Sequence, residues 1–590
     1  MWLSSEILAQ GGVHLLSPDT LSTHPALSRM LVENTAMPAG ENATEHFAFL
    51  LRPGTYEKTG IHVGYYCTVH GLGSTPDMTQ ASVFCLGALD QNGSKTGALD
   101  TFWRGAENLQ MTPPTTLPEA VSGAMYYQVF DGGRSFGASA ETKMPFPPDT
   151  AIWSVSQACW LRRISVNGHL WLDNVSPCSS HNNDGSIPAL YASGGFVADV
   201  HVSGSINLMG QQQFCFLRSS AHEAVLGGAW NTVAVDCTFP SLGGALLQKN
   251  VVSTNLLSFE PYLKPYLIET AMDTYAVIRQ ETIITDFDFV YDVESLQASL
   301  DRGRTTIVLA SPHALEINAE VHIRTPNTLI LGLGIPELRL HAPFIVEAPG
   351  VELCGLLFSC HYADPQASLV QWSVSASVNS AQNVGAMVDC ACRVGGPGVL
   401  DATAVACLAL CEVQTNTKLR IENIHLWRAD HGVAAYTGSC VGALSYNYCK
   451  HGLWVHPTAQ VEAIGLASEH SLETPCLWEG DLGRVLFYQC ELPYEIPEGS
   501  QPPVGLDVSG SHFYGLGLGV YCFFRAPRQG LWSPAGLRFH VPNAQVEGAC
   551  TVWLNGCPNT GISSVVEETW SGNHRGGQAC VATQGQAIAV

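Results

Sequence analysis

Two stretches of this chain repeat one pattern 261 residues apart. Residues 47–73 read FAFLLRPGTYEKTGIHVGYYCTVHGLG, and residues 305–334 read TTIVLASPHALEINAEVHIRTPNTLILGLG. Each has an apolar strand, a break at Pro53 or Pro312, a second strand, and a third that ends in Gly-Leu-Gly, at 71–73 and at 332–334. Further strand-like segments come next in both halves, Leu99 to Leu109 and Val351 to Ser359. Strand, turn, strand, turn at a period of roughly 20–25 residues is what a parallel β-helix requires, because each coil buries its apolar face only against the next. The expected fold is therefore all-β, with two right-handed single-stranded parallel β-helix domains in tandem, at 1–285 and 286–590. The competing reading is a pair of unrelated β-sandwiches that share Gly-Leu-Gly by chance.

The rest of the chain agrees with short strands. Its apolar segments are rich in Val, Ile, Phe, Tyr and Thr, and 57 Gly and 33 Pro are spread along its length. Helical periodicity is rare, and the best candidate for a short helix is Val293 to Leu300, after Asp292. A hydrophobic fraction of 46% can fill a large core and excludes a mainly disordered chain. The formal charge of -24 repels phosphate backbones and anionic lipid, so neither nucleic acid nor membrane is an expected partner, and a neutral sugar suits the surface better. No apolar run reaches the length of a membrane span. Met1 to Gln10 lacks a basic start and carries Glu6, which reads as no secretory signal and favours a cytoplasmic over a secreted protein. The 20 cysteines are then expected mostly as buried free thiols. Cys390 and Cys392, or Cys407 and Cys411, lack a matching pair at finger-like spacing, and His451, His456 and His470 show neither His-x-His nor HExxH spacing. No metal and no cofactor is expected. Sequons at Asn42, Asn92 and Asn174 are near chance in a chain this long.

More specific blocks occur in order. The first half holds FWRGAENL (102–109), SVSQACWLRRISV (154–166), ASGGFVADV (192–200), GQQQFCFLR (210–218), GGAWN (227–231) and KPYL (264–267). The second holds LWRADHG (426–432), SEH (468–470) and GRVLFYQCELPYE (483–495). This order resembles a family of duplicated, pectate-lyase-like β-helix proteins often labelled "adenylyl cyclase" or "coagulation factor 5/8 type". It is more distantly similar to the family 55 glycoside hydrolases, exo-acting β-1,3-glucanases. The resemblance runs from about Phe47 to Phe524 and leaves the tail after about Gly530 unplaced. It implies a cleft where the two β-helices meet, with Glu491 of QCELPY as general acid and Glu469 of SEH holding the attacking water. Gln157 of SVSQA and Ser193 of ASGGF would be the relay, and the outcome inversion. The SLETPCLWEGDLG stretch between the glutamates departs from the aromatic-rich segment of relatives, and Asp481 stands where they often carry Glu.

The residues make part of this case unaided. Glu469 and Glu491 are 22 residues apart, about one coil, so they can stack on neighbouring strands about 4.8 Å apart. Two like charges in a partly buried wall favour a proton on one of them, and an acid beside a base is what glycoside hydrolysis uses. The alternative is a pair of solvated carboxylates on different faces. Asp430 and His431 can line a cleft floor or cap a strand end. Gln211 and Gln212, with Gln213, can bind sugar hydroxyls or form an amide ladder along the coils. Trp478, like Trp103, Trp153 and Trp427, can stack on a pyranose or pack in the core. Three functional readings are open: an inverting glycosidase acting on carbohydrate, a non-catalytic β-helix that binds carbohydrate or protein, and a nucleotidyl cyclase. The last lacks both a GxxxxGK[ST] loop and a basic cluster.

Overall fold

The structure, a computed structural model, describes residues 1–35, 40–89, 95–97, 101–114, 125–129, 141–145, 149–173, 186–187, 192–209, 211–228, 230–240, 250–252, 262–375, 384–397, 404–430, 447–525, 530–554, 557–569, 580–583 and 586–589. Parallel strands dominate. Val13–Leu16, Phe47–Leu51, Cys67–Gly71, Arg104–Met111, Cys159–Val166, Phe196–Val202, Gln213–Leu217, Asn231–Val235 and Asn250–Val252 lie side by side in one sheet. A second sheet runs from Asp288–Val290 to Gln586–Ala589 through Lys418–Arg428, Gln460–Glu469, Leu482–Glu491 and His512–Cys522. Each has a companion parallel sheet, of four strands in the first half and nine in the second. In the second half two main-sheet strands precede each companion strand as far as Ala391–Val394, and from Lys418–Arg428 to His512–Cys522 one does, as coils of a β-helix do, with the apolar interior between the sheets. An antiparallel ribbon, Tyr266–Ala271, Thr274–Arg279 and Thr282–Ile284, separates the two systems along the chain. Among the described residues no helix is long and apolar enough to cross a membrane.

The expected short helix is Val293–Asp301, started by Asp292, whose side chain accepts from the Ser295 N–H at 2.7 Å. The segment expected as one strand at Val351 to Ser359 is two, Glu352–Cys354 and Leu357–Cys360, broken at Gly355 where φ is +69°. In the first half the corresponding strand is Arg104–Met111. Every cysteine whose side chain the structure describes is a free thiol, and of these all but Cys237 are buried.

The two copies of the sequence repeat meet face to face. Ala48, Leu50 and Leu72 of the first pack with Val308, Ala310, Leu331 and Leu333 of the second in one apolar cluster. The Gly334 N–H donates to Thr68 Oγ1 at 2.9 Å. Gly334 has φ +75°, and a Cβ there would come within 3.0 Å of the Phe47 backbone, so the close approach requires glycine. Farther along the same contact, Phe196, Cys215, Leu217, Val233 and Val235 pack on Ile464, Leu486, Phe487 and Leu516.

Between these apolar patches runs a chain of buried charges. Arg163 pairs with Glu107 at 2.8 Å, and Lys264 bridges Glu107 to Asp389. Arg162 binds Asp389 through Nε at 2.7 Å and Glu422 at 3.1 Å. Arg420 then links Glu422 to Glu462, which Arg484 closes at 2.8 Å. The signs alternate from Arg163 to Arg484. Burial alone would lower the Arg162 pKa, yet Asp389 and Glu422 outweigh it and hold the guanidinium above its ordinary value. Breaking such a pair strands a buried charge. Arg162→Met, which keeps volume and removes charge, is expected to lower stability by about 3–5 kcal/mol. A shift of the urea unfolding midpoint at neutral pH checks this.

Candidate functional site

Long strands of the second sheet each carry one residue in the left-handed region: Asn423 (φ +52°), Gly465 (φ +76°), Phe487 (φ +66°) and Gly517 (φ +62°). Register pairs Ile424 with Leu466 and Leu466 with Tyr488, so these positions stack into one column. Each strand bends at this residue, and because all four carry it the register is the same before and after the bend. Past the bend lie His425 and Trp427, then Ala467 and Glu469, then Gln489 and Glu491. Trp427 pairs with Glu469 in register. The His470 N–H donates to the Glu491 carbonyl at 2.8 Å, so Glu469 and Glu491 end neighbouring strands.

The opposing sheet supplies the partners. Gln157 lies in the turn before Cys159–Val166, and Ser193 lies before Phe196–Val202. Ser193 Oγ donates to Gln157 Oε1 at 2.6 Å, and Gln157 Nε2 donates to Glu469 Oε1 at 2.7 Å. The serine hydroxyl thereby orients the amide, because only with Oε1 toward Ser193 does the NH₂ face the carboxylate. Glu469 Oε2 lies 2.9 Å from His425 Nε2. Glu469 is 3% exposed; burial favours its neutral form, but His425, His470 and Gln489 outweigh this and keep its pKa below the ordinary carboxylate range.

Glu491 is 8% exposed, so it is the more accessible of the two. The Tyr494 hydroxyl donates to its Oε2, and Gln489 Nε2 lies 3.4 Å from its Oε1. Tyr494 packs edge-on against His470, with ring centroids 4.4 Å apart, and under the Arg525 guanidinium. A crevice between the two sheets is lined by Gln157, Ser193 and Gln213 on one side and Asn423, Phe487 and Gln489 on the other. Gln213 Oε1 and Gln489 Oε1 are buried acceptors without a hydrogen-bond partner.

Other expected residues fall differently. Gln211 is fully buried and saturated: Nε2 donates to the Val155 and Leu172 carbonyls, and Oε1 accepts from the Gly194 N–H. It clamps the loop that carries Ser193. Gln212 is buried beside it, and its backbone carbonyl accepts from Trp230 and Asn231. Asp430 is gripped by Arg525 at 2.9 Å and lies 4.0 Å from His470 Nε2, behind Glu491. His431 lies outside the described residues. Trp478 is fully buried and packs edge-on against Phe513, with no free face for a sugar; Trp103, Trp153 and Trp427 are likewise buried. Asp481 is exposed, accepts from Ser511, and starts the strand that Glu491 ends, roughly 30 Å away at full extension. Sequence reading missed His425, Tyr494 and Gln489, whereas Gln213 belongs to the glutamine run it had singled out. The signal for His425 was its place two residues before Trp427, which stacks one coil below Glu469.

The chain is similar to known proteins over most of its length. Residues 290–491 match the LAM55 pectate lyase-like domain. An exo-β-1,3-glucanase of Streptomyces sp. (strain SirexAA-E / ActE) is 27% identical over 546 residues, covering 84% of this chain and 78% of that protein. The solved structure of sacteLam55A from Streptomyces sp. SirexAA-E superposes with a TM-score of 0.71 at 23% identity, over 94% of each chain. A variant of sacteLam55A in complex with glucose superposes with a TM-score of 0.70, also at 23% identity and over 94% of each chain. The fold is thus an all-β, mostly parallel, pectate-lyase-like β-helix. The family 55 resemblance read from the ordered blocks agrees with these matches, and over most of its length the chain is similar to a glycoside hydrolase.

Proposed function

We propose that this chain hydrolyses a β-glucan, β-1,3-linked, with inversion, at a site where two tandem right-handed β-helices spanning 1–285 and 286–590 meet. The observation that carries the reading is the hydrogen-bonded relay from Ser193 through Gln157 to Glu469, which crosses between the two sheets and ends beside Glu491. Glu469, held ionised, accepts the proton of a water attacking the anomeric carbon. Its neighbour's negative charge favours a proton on Glu491, which protonates the departing glycosidic oxygen. Gln157 and His425 occupy the two oxygens of Glu469 and fix its rotamer, so the remaining lone pairs point in one direction. The unpartnered amide oxygens of Gln213 and Gln489 are acceptors suited to sugar hydroxyls, whose donors would otherwise lose hydrogen bonds on leaving water. No cofactor takes part.

Glu491→Gln and Glu469→Gln are each expected to lower reducing-sugar release from β-1,3-glucan by about 10²–10⁴-fold with the fold intact. Wild-type rates in Glu491→Gln would overturn the assignment. Silence of the folded wild-type protein across β-glucans would instead favour a carbohydrate-binding module.

The pH profile gives a second test. A base must be ionised, so activity is lost as pH falls through the Glu469 pKa, which the site holds below the ordinary value. The acidic limb of kcat/KM is therefore expected below the ordinary carboxylate range. Replacing His425 by glutamine removes the imidazole whose interaction lowers the Glu469 pKa, so Glu469 should titrate higher and the acidic limb should move to higher pH. An unmoved limb would show that His425 does not set the charge state of Glu469.

A further inference from the structure

Away from the acid–base pair, three coils at the start of the second sheet bring two imidazoles and a carboxylate together. Glu316 lies on Leu315–Ile317, His341 directly follows Glu337–Leu340, and His361 directly follows Leu357–Cys360. The His341 N–H donates to the Ile317 carbonyl at 2.9 Å and the His361 N–H to the Leu340 carbonyl at 2.8 Å, so the two histidines occupy equivalent places on successive coils. Their ring centroids are 5.5 Å apart. One ring nitrogen from each histidine and a carboxylate oxygen of Glu316 all lie within 4.8 Å of one another.

We propose that Glu316, His341 and His361 form a binding site for a divalent transition-metal ion of the zinc class. Two imidazoles and one carboxylate are a ligand set for zinc or its borderline neighbours, not for calcium or magnesium, which take oxygen. Spacing did not expose it, because the two histidines are 20 residues apart and become neighbours only through coil stacking.

Two further features support the site. His361 Nε2 is shielded from solvent and has no hydrogen-bond partner, a cost that a metal ligand does not incur. Glu316 is already oriented: His341 Nε2 lies 2.8 Å from its Oε2, and Arg339 donates to its Oε1 at 3.2 Å, leaving Oε2 directed at the imidazoles. Glu316 and His341 are partly exposed, which leaves a position open to water and a route for the ion. Each ligand comes from a different coil, so a bound ion ties three coils together. His361 is three strands along the stack from the Glu469 row, ~14 Å, so the ion would not touch the reacting groups.

The test uses the full chain, stripped with a chelator and titrated with zinc alone by calorimetry, and with cobalt by visible absorption. Expected are one saturable equivalent of zinc, a rise in thermal midpoint that tracks saturation, and cobalt d–d bands without a thiolate charge-transfer band. His361→Gln and His341→Gln should each abolish this equivalent while the zinc-free thermal midpoint stays that of wild type. His322→Ala should leave it unchanged, since that ring pairs with the Glu320 and Glu347 carboxylates instead. Absence of saturable zinc binding in the wild type would overturn the proposal. So would binding that survives both glutamine variants, or cobalt spectra with thiolate character.

Discussion

The alternating charges from Arg163 to Arg484 set where one sheet stands on the other. Apolar patches such as the one around Phe196 and Phe487 tolerate small slides, because burial is non-directional. A buried ion pair does not. Arg162 binds Asp389 with two nitrogens, at 2.7 and 3.0 Å, and both side chains are fully buried. A slide that lengthened these contacts would expose each ion to the full cost of its desolvation. Such a chain adds little net stability over a well-packed apolar core, but it penalises every register except one. Gln157 lies five residues before Arg162 in the same strand-and-turn unit, and its contact with Glu469 inherits that register.

The second sheet can be read as a row. Glu316, Arg339, Ser359, Arg393, Trp427 and Glu469 pair successively in register, and Glu491 pairs onward with Tyr521. All have equivalent backbone surroundings, so what distinguishes them is the opposing face. Arg393 meets Tyr66 at 3.1 Å and lies over the Trp103 ring, which makes its part of the row a packed aromatic contact. Glu469 meets Gln157 instead. The coils supply a ladder of identical positions, and the contact between the sheets decides which positions do chemistry.

That division explains what could be read without coordinates. The Gly-Leu-Gly repeat, the strand lengths and the one-coil separation of Glu469 and Glu491 are local, and they lead to the stacked carboxylates. Gln157 and Ser193 came through family resemblance, since no spacing rule links residue 157 to residue 469. The charge chain was invisible for the same reason: Arg162, Asp389 and Glu422 are joined only across the sheet contact. Coil length also varies. Register steps from Leu419 to Val461, then to Gly483 and Phe513, and so by 42, 22 and 30 residues. Asp481 was singled out through the family resemblance, and the strand that begins after it carries it to the opposite edge from Glu491. Trp478 looked available because it sits between the glutamates in sequence, but it belongs to the companion sheet and points into the coil interior.

The two glutamates also show how nearly equivalent groups are driven apart. Both end a parallel strand, both come after the same left-handed bend, and each has an amide from Gln489 within reach. The differences lie in the third dimension. Glu469 faces an imidazole and a relay amide, both of which stabilise its anion. Glu491 faces a phenol, a less polar partner with its own charge disfavoured by burial, and it borders the more open side of the wall. His425 Nδ1 is buried without a partner, so the imidazole is committed to Glu469 through Nε2 alone. The asymmetry between base and acid thus arises from one histidine on the preceding coil and one glutamine from the facing sheet, acting on carboxylates that the backbone alone would leave alike.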